Sequence, residues 1–133
     1  TPEDPTAFVR ATMPLCATLG IRAEAFERSR VVLALDWAAE LCTTAGVLHG
    51  GVLMAVADSA GGACAFLNLP APASGTSTIE SKTNFLGAVR EGTVRATATP
   101  LHVGSSTIVV ETALEDSRGR LVAKVTQTQV VLR

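Results

Sequence analysis

With 133 residues, 47% of them hydrophobic and 17% charged, the chain has the composition of one globular domain, expected to run over residues 1–133. A net charge of -1 and a pI near 6.1 give no overall attraction to nucleic acid or to an anionic membrane surface, so neither is expected as a partner. Cys16, Cys42 and Cys64 are odd in number and far apart, with no second set of ligands beside them. That usage predicts reduced thiols in a cytoplasmic protein, with neither a disulfide framework nor a metal site.

The visible N-terminus lacks the basic-then-apolar pattern of an export signal, so export is not expected. From Pro5 to about Cys16 the pattern is weakly helical, with Phe8, Met13 and Leu15 as apolar anchors and Pro14 near the end. Ile21–Phe26 and Arg30–Asp36 predict a hairpin around the polar turn Glu27-Arg28-Ser29. A long apolar helix is expected from Gly50 to Leu69, stopped by Pro70 and Pro72. Val47 to Leu69 is apolar enough to suggest a membrane span. Asp58, His49, four internal glycines and the absence of flanking Lys or Arg argue against that reading.

Four runs rich in Thr, Val and Ile follow: Thr76–Leu86, Thr93–His102, Ser106–Glu115 and Leu121–Leu132. Turn chemistry joins them at Gly87 to Gly92, at Gly104-Ser105 and at Asp116-Ser117-Arg118-Gly119. The order predicts an α+β fold in which an antiparallel sheet of about five to six strands wraps one long central helix.

Asp58 is the only formally charged side chain between Leu41 and Ile79, and it falls in the middle of the apolar helix. At 100° per residue it shares a face with Met54, Ala55, Gly61, Gly62 and Ala65, while Val52, Leu53, Val56, Ala60 and Phe66-Leu67 are left to supply the packing. Each helical glycine costs about 0.8–1.0 kcal/mol relative to alanine, so something is expected to approach the helix backbone there. His49-Gly50-Gly51 opens the same helix. Free N–H groups at a helix start, with glycine permitting close approach, are suited to polarise a carbonyl or hold an oxyanion.

These residues resemble a known family, the hotdog-fold acyl-CoA thioesterases, and within it the PaaI-like (phenylacetate-degradation) branch. The resemblance spans nearly the whole chain, through "GVLHGGVLMAVADSAGGACA", "TSTIESKTNFLGAVREGTVRATATPLHVGSSTIVVETAL" and "GRLVAKVTQTQVVL". It implies that Asp58 is the catalytic carboxylate, acting either as nucleophile on the thioester or as general base for water. Gly50 is implied to polarise the thioester carbonyl through its backbone N–H, with His49 shaping the helix start beside Gly51. Thr78 falls where some relatives carry a hydroxyl that positions the attacking water; a plain strand threonine is the other reading. Relatives usually have Asn or Gln six residues before the histidine. Here Thr43 holds that place, so either it or Thr44 reaches the site through water or that support is missing. Gly62 stands where glutamate-type relatives carry a threonine and is expected to keep the approach to Asp58 open.

The expected reaction is hydrolysis of an aryl-acetyl, aromatic or medium-chain acyl-CoA, with no cofactor other than the coenzyme A of the substrate itself. Gly104, Ser105 and Ser106 are candidates for the substrate phosphates, with Arg90 and Arg95 behind them. The resemblance also implies a homo-oligomer, a dimer or dimer of dimers, with sites shared between subunits. A free sheet edge in "STIESKTNF" favours such pairing. The rival readings are a non-catalytic acyl-CoA-binding module, which should lack the carboxylate, and a hydratase, whose Asp and His pairing differs from His49 and Asp58.

Overall fold

The computed structural model describes residues 2–133. Two short helices, α1 (Pro5–Thr12) and α2 (Pro14–Leu19), lead into a hairpin of β1 (Arg22–Glu27) and β2 (Arg30–Asp36). After two 3₁₀ turns, Ala39–Leu41 and Thr44–Gly46, comes α3 (Gly50–Leu67). Four strands complete the chain: β3 (Gly75–Phe85), β4 (Thr93–Val103), β5 (Thr107–Glu115) and β6 (Leu121–Leu132). All six strands form one sheet in the order β1-β2-β4-β5-β6-β3, antiparallel at every pairing. The sheet curls around α3 in the hotdog arrangement.

The leading helical segment is two helices, not one. Pro14 has no N–H to donate and disfavours the helical conformation in the residue before it. Met13 accordingly breaks out at φ -125° and ψ 87°. Asp4 caps α1 by accepting from the Ala7 N–H at 3.1 Å. Val9 and Cys16 are buried, whereas Leu15, expected as an anchor, is exposed.

On α3 the residues Leu53, Val56, Ala57, Ala60 and Cys64 are buried against the sheet, along with Gly61 and Ala65. The face turned to the sheet is therefore rotated from the one expected, taking in two small residues from the carboxylate's side. Opposite them the sheet offers Leu33, Leu35, Val94, Ile108, Val110 and Leu114. The helix stops at Leu67, two residues earlier than expected. Asn68 ends it by donating from its Nδ2 to the carbonyls of Cys64 and Arg28, both at 2.8 Å.

β3 occupies one edge of the sheet, paired only with β6. Its outer face leaves Ile79 and Phe85 exposed, with Leu86 just beyond its end. A bulge between Thr78 and Glu80 sets the two halves of this strand. Thr78 pairs with Gln129, and beyond the bulge Thr83 pairs with Val125. The extra residue, Ile79, lets Thr78 and Thr83 both face inward although five positions separate them.

Candidate active site

α3 begins at His49, whose extended backbone makes it the N-cap. Its Nδ1 accepts from the Gly51 N–H at 2.8 Å, leaving Nε2 to carry the imidazole proton. The Gly51 N–H is thereby used within the chain. The Gly50 N–H has no such partner among the described residues. Phe85 covers the Cα of Gly50 closely: a Cβ there would lie 3.0 Å from the ring Cζ. The helix start is held in place by backbone hydrogen bonds from His49 to Leu41 at 3.0 Å and from Leu48 to Val89 at 2.9 Å.

Two turns further on, Asp58 projects toward β3. The Thr78 hydroxyl donates to its Oδ1 at 2.7 Å, and the Gln127 Nε2 donates to the same oxygen at 3.0 Å. Its Oδ2 takes no hydrogen bond, and no Lys, Arg or His pairs with the carboxylate among the described residues. One oxygen is thus tied down by neutral donors and the other is open.

Asp58 lines a cavity of about 380 Å³, within the range of small-molecule sites of roughly 300–1,000 Å³. Phe8 of α1, Met13 between α1 and α2, Phe26 of β1, and Phe66 and Gly62 of α3 wall it. Phe8 meets the Phe26 ring edge-on with centroids 5.7 Å apart and the Phe66 ring at 6.4 Å. Among the described residues, Asp58 is the only charged group in the lining.

The expected site residues separate into groups. Asp58, Thr78 and Gly62 come together at the cavity. Thr78, expected to hold water, has donated its one proton to the carboxylate itself. His49, Gly50 and Gly51 lie at the helix start; Asp58 is eight residues on, about 12 Å along the axis at 1.5 Å per residue. Thr43 immediately precedes the second 3₁₀ turn, where its N–H donates to the Val47 carbonyl, and its side chain makes no hydrogen bond among the described residues. Gly104, Ser105 and Ser106 form the β4–β5 turn and do not line the cavity. Their backbone instead binds Thr107, Arg133 and Val131. Arg95 is held in a bidentate pair with Glu24, with its Nε 2.6 Å from Oε1. Burial pushes the Cys64 thiol up to about 11, so it stays protonated and is no rival nucleophile at neutral pH.

Gln127 and Gln129 are the site residues that the sequence reading missed. A signal was present: they alternate with Val125 and Val131 on a strand whose inner face is otherwise apolar.

The two helix glycines face different surroundings, which separates their expected effects. A Cβ on Gly61 would come within 2.1 Å of the Gln127 Oε1, while one on Gly62 would meet nothing within 4 Å. Gly61→Ala is expected to destabilise by about 1–3 kcal/mol through overpacking. Gly62→Ala should stabilise by about 0.5–1 kcal/mol and lower turnover by narrowing the approach to Asp58. Thermal unfolding and hydrolysis measured on both variants check this. Full turnover in Gly62→Ala would leave that glycine without a role at the site.

The fold and this carboxylate on its central helix define the class of hotdog thioesterases. The chain belongs to the thioesterase superfamily, which matches residues 45–123. Among its relatives, the protein SSO2140 of Saccharolobus solfataricus is 33% identical over 115 residues, covering 86% of this chain and 81% of the other. The 1,4-dihydroxy-2-naphthoyl-CoA hydrolase of Listeria monocytogenes is 31% identical over 109 residues, covering 82% and 88%. In three dimensions, a mutant of the thioesterase PA1618 from Pseudomonas aeruginosa superposes with a TM-score of 0.89 at 26% identity, covering 99% of this chain and 95% of that one.

Proposed function

We propose that the protein is an acyl-CoA thioesterase of the PaaI-like branch, hydrolysing an aryl-acetyl, aromatic or medium-chain acyl-CoA to the free acid and coenzyme A. The observation that carries this reading is the asymmetric carboxylate beside a largely apolar cavity: Oδ1 of Asp58 is held by Thr78 and Gln127, and Oδ2 is left unbonded. As general base, Oδ2 takes a proton from water while the water oxygen bonds to the thioester carbon. The carbonyl oxygen becomes an oxyanion, which a backbone N–H stabilises; the C–S bond then breaks and the coenzyme A thiolate leaves. Attack by Oδ2 itself, through an anhydride that water then opens, uses the same oxygen. Neither route needs a metal or a further cofactor. Thr78, with its proton on Oδ1, orients the carboxylate.

The relative that acts on a naphthoyl-CoA supports a coenzyme A thioester as substrate. Three phenylalanines, with no charged wall residue other than Asp58 among the described residues, favour an acyl group that is apolar at its far end. Three free thiols suit a reducing compartment, and cytoplasmic location is part of the proposal.

The Gly50 N–H and Asp58 lie too far apart in one chain to meet on a single carbonyl, about 12 Å against the roughly 3 Å each contact needs. A second copy resolves this. β3 is a sheet edge with a bare Ile79, and in the proposed assembly two copies pair through it so that the helix start of one subunit serves the carboxylate of the other. The proposed assembly is a dimer or a dimer of dimers.

Thiol release over a panel of acyl-CoAs tests the activity. Binding of acyl-CoA without release of coenzyme A would replace the enzyme with a binding module. For the shared site, Asp58→Ala and a Gly50→Pro variant should each be nearly inactive. After subunit exchange at equal concentrations they should recover about a quarter of parental activity, because half the dimers are mixed and each has one intact site. No recovery after confirmed exchange would argue for self-contained sites.

A further inference from the structure

Two glutamines on β6 take no part in the bond-making steps above, yet both are buried at the site. Gln127 and Gln129 are 0% and 1% exposed and face inward between Val125 and Val131. The Gln127 Nε2 donates to the Asp58 Oδ1 at 3.0 Å. The Gln129 Nε2 donates to the Thr78 Oγ1, and that hydroxyl donates to the same Oδ1 at 2.7 Å. The Gln129 Oε1 lies 3.1 Å from the Thr76 hydroxyl, which also donates to the Val130 carbonyl at 2.8 Å. Its counterpart, the Gln127 Oε1, is buried with no hydrogen-bond partner among the described residues.

This arrangement carries two costs. A buried acceptor goes unpaired, and a glycine interrupts the middle of α3 at residue 61, where a Cβ would overlap the Gln127 amide. A methionine at 127 would fill a similar volume without the unpaired carbonyl. Turning the amide over would satisfy nothing, because its oxygen would then face the carboxylate. What the costs secure is the donor aimed at Asp58.

We infer that Gln127 and Gln129 are positioning residues for Asp58: one directly and one through Thr78, they hold its Oδ1 and so present Oδ2 to the substrate. A carboxylate turns easily about its terminal torsion, which is broad and nearly two-fold. Two converging donors on one oxygen remove that freedom, and rate depends steeply on where the reacting oxygen stands. The inference rests on the proposed role of Asp58 and adds to it a pair of residues that act through the carboxylate.

The test uses Gln127→Met and Gln129→Met in the full-length protein, with steady-state kinetics on the best acyl-CoA and thermal unfolding. The expected result is a loss of kcat of about tenfold to a hundredfold with KM near the parental value, in protein that remains folded. Adding Gln127→Met to Asp58→Asn should lower the residual rate no further, since both changes act on one group. Unchanged kcat in a folded variant overturns the inference, as does a rate loss that only follows loss of folded protein or a rise in KM. Should Gln127→Met fail to fold, Gln129→Met decides alone by the same criteria. Asp58→Asn separates the two levels. If it hydrolyses normally, the proposed chemistry falls and this inference with it; if it is inactive while both methionine variants keep full kcat, only the positioning role falls.

Discussion

Asp58→Asn is expected to lower kcat/KM for acyl-CoA hydrolysis by about a thousandfold with little change in thermal stability. Asparagine has nearly the same shape, and its carbonyl can still accept from Thr78 and Gln127, so the hydrogen bonds that order the helix face persist. What changes is the open position, where an amide NH₂ replaces Oδ2 and can neither accept a proton nor attack a carbonyl. The same logic makes asparagine a sharper probe than alanine, which also removes the acceptor from the half-buried Thr78 hydroxyl and the buried Gln127 amide. Near-parental hydrolysis in a folded Asp58→Asn protein would remove the carboxylate from the reaction.

The second large effect is expected at Gly50, from a comparison of two substitutions. Gly50 is the first residue of α3, a position where proline is tolerated because its missing N–H would have no partner inside the helix. His49 before it is already extended, at φ -61° and ψ 133°, as a residue preceding proline must be. Gly50→Pro therefore deletes the one unpartnered N–H with little disturbance to the helix. Gly50→Ala keeps that N–H. Both bring a Cβ against the exposed Phe85 ring, so this steric change is common to the pair. Their difference isolates the hydrogen bond to the oxyanion. We expect kcat for Gly50→Pro to fall about a hundredfold to a thousandfold below that of Gly50→Ala. Equal rates in the two variants would mean that another group stabilises the oxyanion.

The elements of this fold were readable in the chain because each follows from local rules. Strand runs rich in Val, Ile and Thr, glycine and aspartate at the turns, and prolines after an apolar helix place the elements to within a few residues. The helix overran by two residues because Asn68 ends it through a bond to Arg28, forty positions earlier in the chain, and no local pattern contains that partner. Asp58 also stood out locally, as the lone charge in an apolar helix. So did the His49-Gly50-Gly51 start, and the structure shows why its two glycines differ: His49 uses one N–H and leaves the other.

What surrounds the carboxylate was decided only by tertiary structure. Strand alternation counted from Thr78 turns Glu80 and Lys82 inward, an arrangement the core could not accept. The bulge at Ile79 resolves the conflict, and it depends on pairing with β6, which lies more than forty residues further along the chain. Gln127 and Gln129 read locally as polar residues in a strand. Their meaning appears once β6 is set between β5 and β3 with α3 across its inner face. Gly61 is similar, since it reads only as a place where something approaches the helix backbone, and the group that approaches proves to be the Gln127 amide. Periodicity is a property of neighbours along the chain, whereas a hydrogen bond between α3 and β6 joins groups that only the closed sheet brings together.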